Sequence, residues 1–221
     1  MERHFDEELE HLKHQLLKMG GHAEIMVEEA VRALVRNEPA VIDSVMSHEN
    51  TVNQLQVAID EDCLRLLALY QPAAIDLRFL MGVAKINTEL ERLGDHAVNI
   101  AEIVRRLLGE PQVKPYEIIP QMVQVAVSMV KDSLHAFVNQ DVGRAREVLL
   151  RDDTLDDLRD RVVADLVCFM QRDPATIVRA VNLISVAKNL ERIGDLATNI
   201  AEDVIFVVEG KDVRHKFGKH A

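Results

Sequence analysis

Tryptophan is absent from this chain of 221 residues, aromatic residues make up only 4% of it, and Gly and Pro number just 9 and 6. An all-β fold with many short strands draws on aromatic residues and on frequent Gly and Pro turns, and this composition supplies neither. Cysteine is scarce too: Cys63 and Cys168 form no CxxC pair and sit in apolar helical context. Both read as small core residues in a reducing compartment, not as a disulfide. The longest apolar runs, such as Val204 to Val208, fall far short of the roughly 20 residues a membrane-spanning helix needs. The opening residues, Met1 to Glu7, are acidic and hold no apolar segment. Neither a secretory signal nor an Arg-rich transit peptide is read there, and the expected location is the cytoplasm. Positive charge is in deficit, with 26 Lys and Arg against 37 Asp and Glu and a net charge of -11, which argues against a nucleic-acid backbone as partner.

What is abundant is apolar side chain, 48% of the sequence, enough to build a core and unlike the composition of a disordered chain. The spacing predicts an all-α protein. Helical periodicity runs from Phe5 to Arg36, from Pro39 to about Tyr70, and from about Ala73 to Leu108. Gly109-Glu110-Pro111-Gln112-Val113-Lys114-Pro115 then joins a helix-stopping Gly to two prolines, the one stretch that reads as an extended linker. Beyond it the plan recurs: a helix from about Tyr116 to Asn139, a break at Asp141 to Gly143, a helix to about Arg172, and a last one from Pro174 to Val208. The repeat is visible letter by letter. Leu90-Glu91-Arg92-Leu93-Gly94-Asp95-His96-Ala97-Val98-Asn99-Ile100-Ala101-Glu102 returns 100 residues later as Leu190-Glu191-Arg192-Ile193-Gly194-Asp195-Leu196-Ala197-Thr198-Asn199-Ile200-Ala201-Glu202, with three differences. A weaker match pairs 48–53 with 151–156, at an offset of 103. The chain therefore divides into a first three-helix repeat at 1–110, a linker at 111–115, a second repeat at 116–210 and a basic tail at 211–221.

On a helix advancing about 100° per residue, Leu90, Leu93, Ala97, Ile100, Val104 and Leu107 form one apolar stripe. Glu91, Asp95, Asn99 and Glu102 gather on nearly the opposite side, as do Glu191, Asp195, Asn199 and Glu202 in the second copy. Carboxylates stacked at i and i+4 repel by a few tenths of a kcal/mol, so something is expected to compensate. Two readings stand. In one, Arg92 and Arg192 supply local ion pairs on a solvated face. In the other the ridges hold a cation, because carboxylate and amide oxygens are hard ligands suited to Mg²⁺, Ca²⁺, Mn²⁺ or iron. Glu49 and Asn53 on the second helix, with Asp152 and Asp156 on the fifth, have the same i, i+4 spacing and could complete the two shells. Gly94 and Gly194 cost roughly 1 kcal/mol each against Ala in a helix and suit a close backbone approach or simple helix packing.

Other candidates are thinner. Glu8 and His11 form one E-x-x-H pair where a di-metal bundle needs two, and His4, His11 and His14 read as a solvated face. The tail from Lys211 to His220 is basic, with fraying as its default and a partner or lipid contact as the alternative. No phosphate-cradling Gly-rich loop or nucleophile elbow is present, so the chain is not expected to be an enzyme; a helical metal enzyme or metal store is the runner-up reading.

The doubled Leu-Glu-Arg-Leu/Ile-Gly-Asp followed by Asn-Ile-Ala-Glu, on the third helix of each repeat, resembles the PhoU family over essentially the whole chain. The likeness extends from Pro72 and Asp76-Leu77-Arg78 to Val204-Ile205-Phe206 and Gly210-Lys211-Asp212-Val213-Arg214-His215. The resemblance implies two three-helix bundles related by pseudo-twofold symmetry and a homodimer. It also implies a negative regulator that joins the phosphate transporter's ATPase, PstB, to the sensor kinase PhoR, peripheral to membrane complexes at most, keeping the phosphate-starvation response off when phosphate is plentiful. Iron or zinc clusters on E/D-x-x-x-D motifs are part of what it implies. Those motifs fall here on Glu91 with Asp95 and Glu191 with Asp195, and on Glu49 with Asn53 and Asp152 with Asp156, with Asn99 and Asn199 one turn on. Asn53 is neutral where the family pattern has Asp, so the first site is expected to hold a cation more weakly, while His96 opposite Leu196 could add a softer ligand there.

Overall fold

The computed structural model describes residues 2–213, with side chains from His4 onward. The chain folds into six long helices: α1 (Glu2–Arg36), α2 (Val41–Tyr70), α3 (Ala74–Leu107), α4 (Ile118–Asn139), α5 (Val142–Arg172) and α6 (Ile177–Glu209), with one 3-10 turn at Pro174–Thr176. Among the described residues there is no strand. Helices α1, α2 and α3 pack on one another, as do α4, α5 and α6, and the two bundles meet through α3 on α6 and α1 on α4. The all-α, two-bundle expectation holds. Most of the tail assigned to 211–221 lies outside the described residues.

The helix ends explain why the boundaries shift slightly from the sequence reading. Pro39 stands ahead of α2 rather than inside it, its carbonyl accepting from the Ile42 amide at 3.1 Å. Tyr116 and Glu117 precede α4, and Pro120 falls in that helix's first turn, where no intrahelical N–H partner is needed. Asn37, Gln71 and Gln140 close α1, α2 and α4 with positive φ of 54°, 47° and 53°, a role usually given to Gly. At the other ends Asp141 accepts from the Arg144 amide at 3.0 Å to open α5, and Asp173 accepts from the Ala175 amide at 3.0 Å. The linker is strapped down: Arg179 donates to the Pro111 carbonyl at 2.6 Å and Lys114 pairs with Asp165.

The core is continuous across both repeats. The α3 stripe of Leu90, Leu93, Ala97, Ile100, Val104 and Leu107 is buried throughout, and so are Leu190, Ile193, Ala197, Ile200 and Val204 on α6. Phe79 of α3 stacks on Phe137 of α4 with ring centroids 5.0 Å apart and planes at 13°. Cys63 belongs to this core, but Cys168 is exposed, correcting the expectation that both are core residues. The buried face of α5 runs through Leu155, Leu158, Val162 and Leu166, and two further residues turn the helix by about 200°, away from that face.

The two motif glycines are not equivalent, and neither admits a neighbouring backbone. A Cβ on Gly194 would stand 2.4 Å from Leu155 Cδ2, whereas one on Gly94 would meet nothing nearer than Val52 Cγ1 at 3.5 Å. Gly194→Ala is therefore expected to lose stability, because crowding a buried leucine costs about 1–3 kcal/mol and outweighs the propensity gain of about 1 kcal/mol. Gly94→Ala should be neutral or stabilising by up to about 1 kcal/mol. Urea unfolding of the two variants checks this; equal effects would contradict it.

Candidate functional site

Opposite the buried stripe, the first acidic ridge is open to water: Asp95, Asn99 and Glu102 are exposed and Glu91 is half-buried. The second ridge is more sheltered, with Glu191, Asp195, Asn199 and Glu202 all half-buried. Of the second-helix residues, Glu49 is half-buried and Asn53 exposed, while Asp152 and Asp156 of the second repeat are both half-buried. Burial first, and Asp95 second, push the Glu91 carboxyl above the usual range, with Arg92 pulling the other way. Glu191 is raised by burial first, then by Asp195, and also feels Asp156; Arg159 and Arg192 oppose the shift.

The second ridge is already supplied with positive charge. Arg159 Nη1 donates to Glu191 Oε1 at 2.8 Å, stands 3.6 Å from Asp156 Oδ1, and its Nη2 lies 2.8 Å from Asp160. Arg192 Nη1 donates to Asp195 Oδ2 at 2.9 Å, and its Nε lies 3.8 Å from the other oxygen of Glu191. One guanidinium thus joins the fifth-helix Asp156 to the sixth-helix Glu191, which is the juxtaposition that the spacing assigned to a metal. The first ridge has no such cation. The residue matching Arg159 at the 103-residue offset is Gln56, and Arg92 turns back to Glu89 at 3.1 Å. Among the described residues, Glu91, Asp95 and Glu49 enter no ion pair within 4.0 Å. Sequence reasoning passed over Arg159, although it lies three residues from Asp156 and seven from Asp152, on their helix face.

The donor sets bear on the metal reading. Among the described residues no group of three or more His, Cys, Asp or Glu side chains converges as a metal cage. As they stand, Glu191 and Asp156 share Arg159 as counter-charge through Glu191 Oε1 and Asp156 Oδ1, so a metal there would compete with that guanidinium. Glu91, Asp95 and Glu49 are oxygen donors outside any ion pair, with Arg92 acting on Glu91 only at longer range, chemistry suited to a hard cation. Arg159 therefore weighs against the ranking that Asn53 alone suggested. His96, read as a softer ligand, is turned to the partner repeat instead, its Nδ1 2.9 Å from Asn189 Oδ1. The lone E-x-x-H pair dissolves as well: Arg65 grips both oxygens of Glu8, at 3.1 and 2.7 Å.

Between α3 and α6 runs a polar groove lined by Lys85, Thr88, Glu89, Asn199, Glu202 and Asp203. Lys85 donates to Asp203 Oδ1 at 2.7 Å, and Asn199 donates to Glu89 at 3.4 Å. Asp203 is only 8% exposed. Its sequence signal was available, since an Asp flanked by Ile200, Val204 and Val207 sits on an apolar face and needs a partner.

Comparison with known proteins places these features. The PhoU domain model matches residues 16–104 and again 119–204, one copy per bundle. The chain is 40% identical over 209 residues to the phosphate-specific transport system accessory protein PhoU homolog of Aquifex aeolicus, covering 95% of each chain. It is 32% identical over 214 residues to the accessory protein PhoU of Escherichia coli, covering 97% of this chain and 89% of that one. Its fold superposes on the crystal structure of PhoU from Pseudomonas aeruginosa with a TM-score of 0.89 at 38% identity, covering 94% of this chain and 100% of that one. The phosphate transport system regulatory protein PhoU from Streptococcus pneumoniae gives 0.87 at 28% identity, covering 95% and 99%.

The electrostatic difference between the ridges has a measurable consequence. A carboxyl whose folded pKa is raised adds no penalty below its unfolded value of about 4.3 and destabilises as pH rises through the folded value. Glu91→Gln should therefore be more stable than wild type at neutral pH, by a few tenths of a kcal/mol, the scale of a like-charge i, i+4 pair. That advantage should vanish near pH 3, below both values. Glu191 is raised as well, so Glu191→Gln should show the same pH sense, with a smaller gain at neutral pH because Arg159 forfeits its 2.8 Å carboxylate partner. Urea denaturation at the two pH values reads both effects; a gain in Glu191→Gln as large as that in Glu91→Gln would contradict the asymmetry.

Proposed function

Because the chain belongs to the PhoU domain family, we propose that it is a regulatory adaptor of phosphate uptake, binding partners through its acidic α3 ridge rather than catalysing a reaction. Its relatives are named as accessory proteins of a phosphate-specific transport system, which supports a role in phosphate transport regulation. The finer reading is that it links the transporter ATPase PstB to the sensor kinase PhoR in the cytoplasm and holds the starvation response off in phosphate-rich conditions. The observation that carries it is the exposed row Asp95, Asn99 and Glu102 on a helix whose other face is buried. Among the described residues no helix is long and apolar enough to cross a membrane, in keeping with a protein that docks on a membrane complex from outside the bilayer.

A cation is part of the same proposal. Glu91 and Asp95, with Glu49, Asn53 and Asn99, are the residues that would hold iron, zinc, Mg²⁺, Mn²⁺ or Ca²⁺ in the first repeat. Asp152, Asp156, Glu191, Asp195 and Asn199 would do so in the second only with Arg159 displaced. A bound ion would turn an acidic docking face less negative. Association into a homodimer belongs to this reading too, and Val57, Leu64 and Leu69, exposed on α2, offer apolar surface for it. The reading as a metal enzyme or store has no specific observation in its favour.

Deleting the protein should leave phosphate-starvation genes on in phosphate-rich medium, measured with a reporter. Asp95→Lys with Glu102→Lys, both at exposed positions, should keep helicity and mimic the deletion. The double variant should also weaken pull-down of the kinase or ATPase, with wild-type binding falling as salt screens the ridge. Normal repression in the deletion strain would refute the regulatory reading.

A further inference from the structure

Next to Glu49 in sequence, His48 of α2 brings its Nδ1 to 2.8 Å from the Nδ1 of His22 on α1, with ring centroids 5.0 Å apart. Both side chains are half-buried. Contact at this distance requires one Nδ1 to donate and the other to accept, so both rings cannot be charged at once. His22 is pushed below the ordinary imidazole value by burial first, then by His48 and by Lys18. The place is specific to the first repeat: the residue matching His48 is Arg151, which donates to Asp132 of α4 at 2.6 Å. Where the second bundle has an ion pair between its first two helices, the first has two imidazoles in contact.

We infer that His22 and His48 form a two-histidine site for a borderline divalent cation such as Zn²⁺, clipping α1 to α2. A tetrahedral cation with bonds of about 2.0–2.1 Å sets its two nitrogens about 3.3 Å apart, so the rings need separate by only about 0.5 Å. The hydrogen held on one Nδ1 passes to the Nε2 of the same ring, leaving two neutral imidazoles that each offer an Nδ1 lone pair. No proton is lost from the pair, and water completes the shell. Imidazole nitrogen selects Zn²⁺, Co²⁺, Ni²⁺ or Cu²⁺ over Mg²⁺ and Ca²⁺, so the site is chemically distinct from the all-oxygen ridges. Lys18 is the nearby opposing charge and keeps the affinity modest. Since the ion binds only the paired helices of the folded state, it raises the melting temperature.

The test is calorimetric titration of tag-free, chelator-stripped full-length protein with ZnCl2 in excess MgCl2, beside thermal melts. His22→Gln and His48→Gln should each bind one zinc fewer than wild type and lose the zinc-dependent rise in Tm attributable to this clip. His14→Gln, a solvent-exposed histidine outside the pair, should behave as wild type. Wild-type stoichiometry and Tm response in both pair variants would overturn the site. Should either variant be misfolded by circular dichroism, the histidine ring signals of the wild-type protein decide: zinc must shift those of His22 and His48, and shifts confined to other histidines refute it. The outcome is independent of the phosphate-regulation reading, which does not use these residues.

Discussion

The contact of α3 with α6 governs how everything else is placed. At one end the helices come close because Gly82 has no side chain: a Cβ there would stand 2.6 Å from Val207 Cγ2 and 3.2 Å from Phe137. Near the same end Arg78 Nε donates to the Val207 carbonyl at 3.2 Å, satisfying a group that the end of α6 leaves open. The Lys85–Asp203 pair crosses the same seam. A half-buried ion pair adds little net stability, but separating its partners is costly, so it fixes the register of the two helices. Its pseudo-twofold mates are Ser185 and Ile103, which cannot form the pair, so this lock exists once.

With that seam set, both third helices turn their apolar stripes inward and their acidic ridges outward, and duplication alone would make the ridges equal. They are not equal. Arg159 enters between Asp156 and Glu191, whereas the first repeat has Gln56 at that position and leaves Glu91 and Asp95 without an ion pair. One copy opposes the repulsion of its stacked carboxylates with Arg159 from the neighbouring helix; the other has Gln56 there. The same divergence shows at the first-helix seam, where His22–His48 stands opposite Arg151–Asp132.

The sequence made the architecture readable because the signals were local and long. The apolar stripe of α3 runs for five turns, and a thirteen-residue motif recurring after 100 positions leaves few alternatives to duplication. Helix ends were read less sharply since Asn37, Gln71 and Gln140 carry the left-handed caps where Gly is the usual marker. Periodicity also could not say which carboxylates meet an arginine: Arg65 on Glu8 and Arg159 on Glu191 are contacts between helices, and helical spacing describes only one helix at a time. Cys168 was misplaced for a related reason, since an apolar neighbourhood in sequence does not specify which side of α5 faces inward. The PhoU likeness was legible in the motif itself, and the family match covers both repeats.

That the α3–α6 seam makes the two repeats one folding unit is the claim on which the placement of both ridges rests. Hydrogen exchange followed by mass spectrometry through a urea series tests it most directly, because it reports each helix separately in a chain without tryptophan. Peptides from 80–104 and 180–204 should lose protection together, in one transition with a common midpoint. If one repeat opens at clearly lower urea while the other keeps its full protection, the bundles are independent and the account is contradicted.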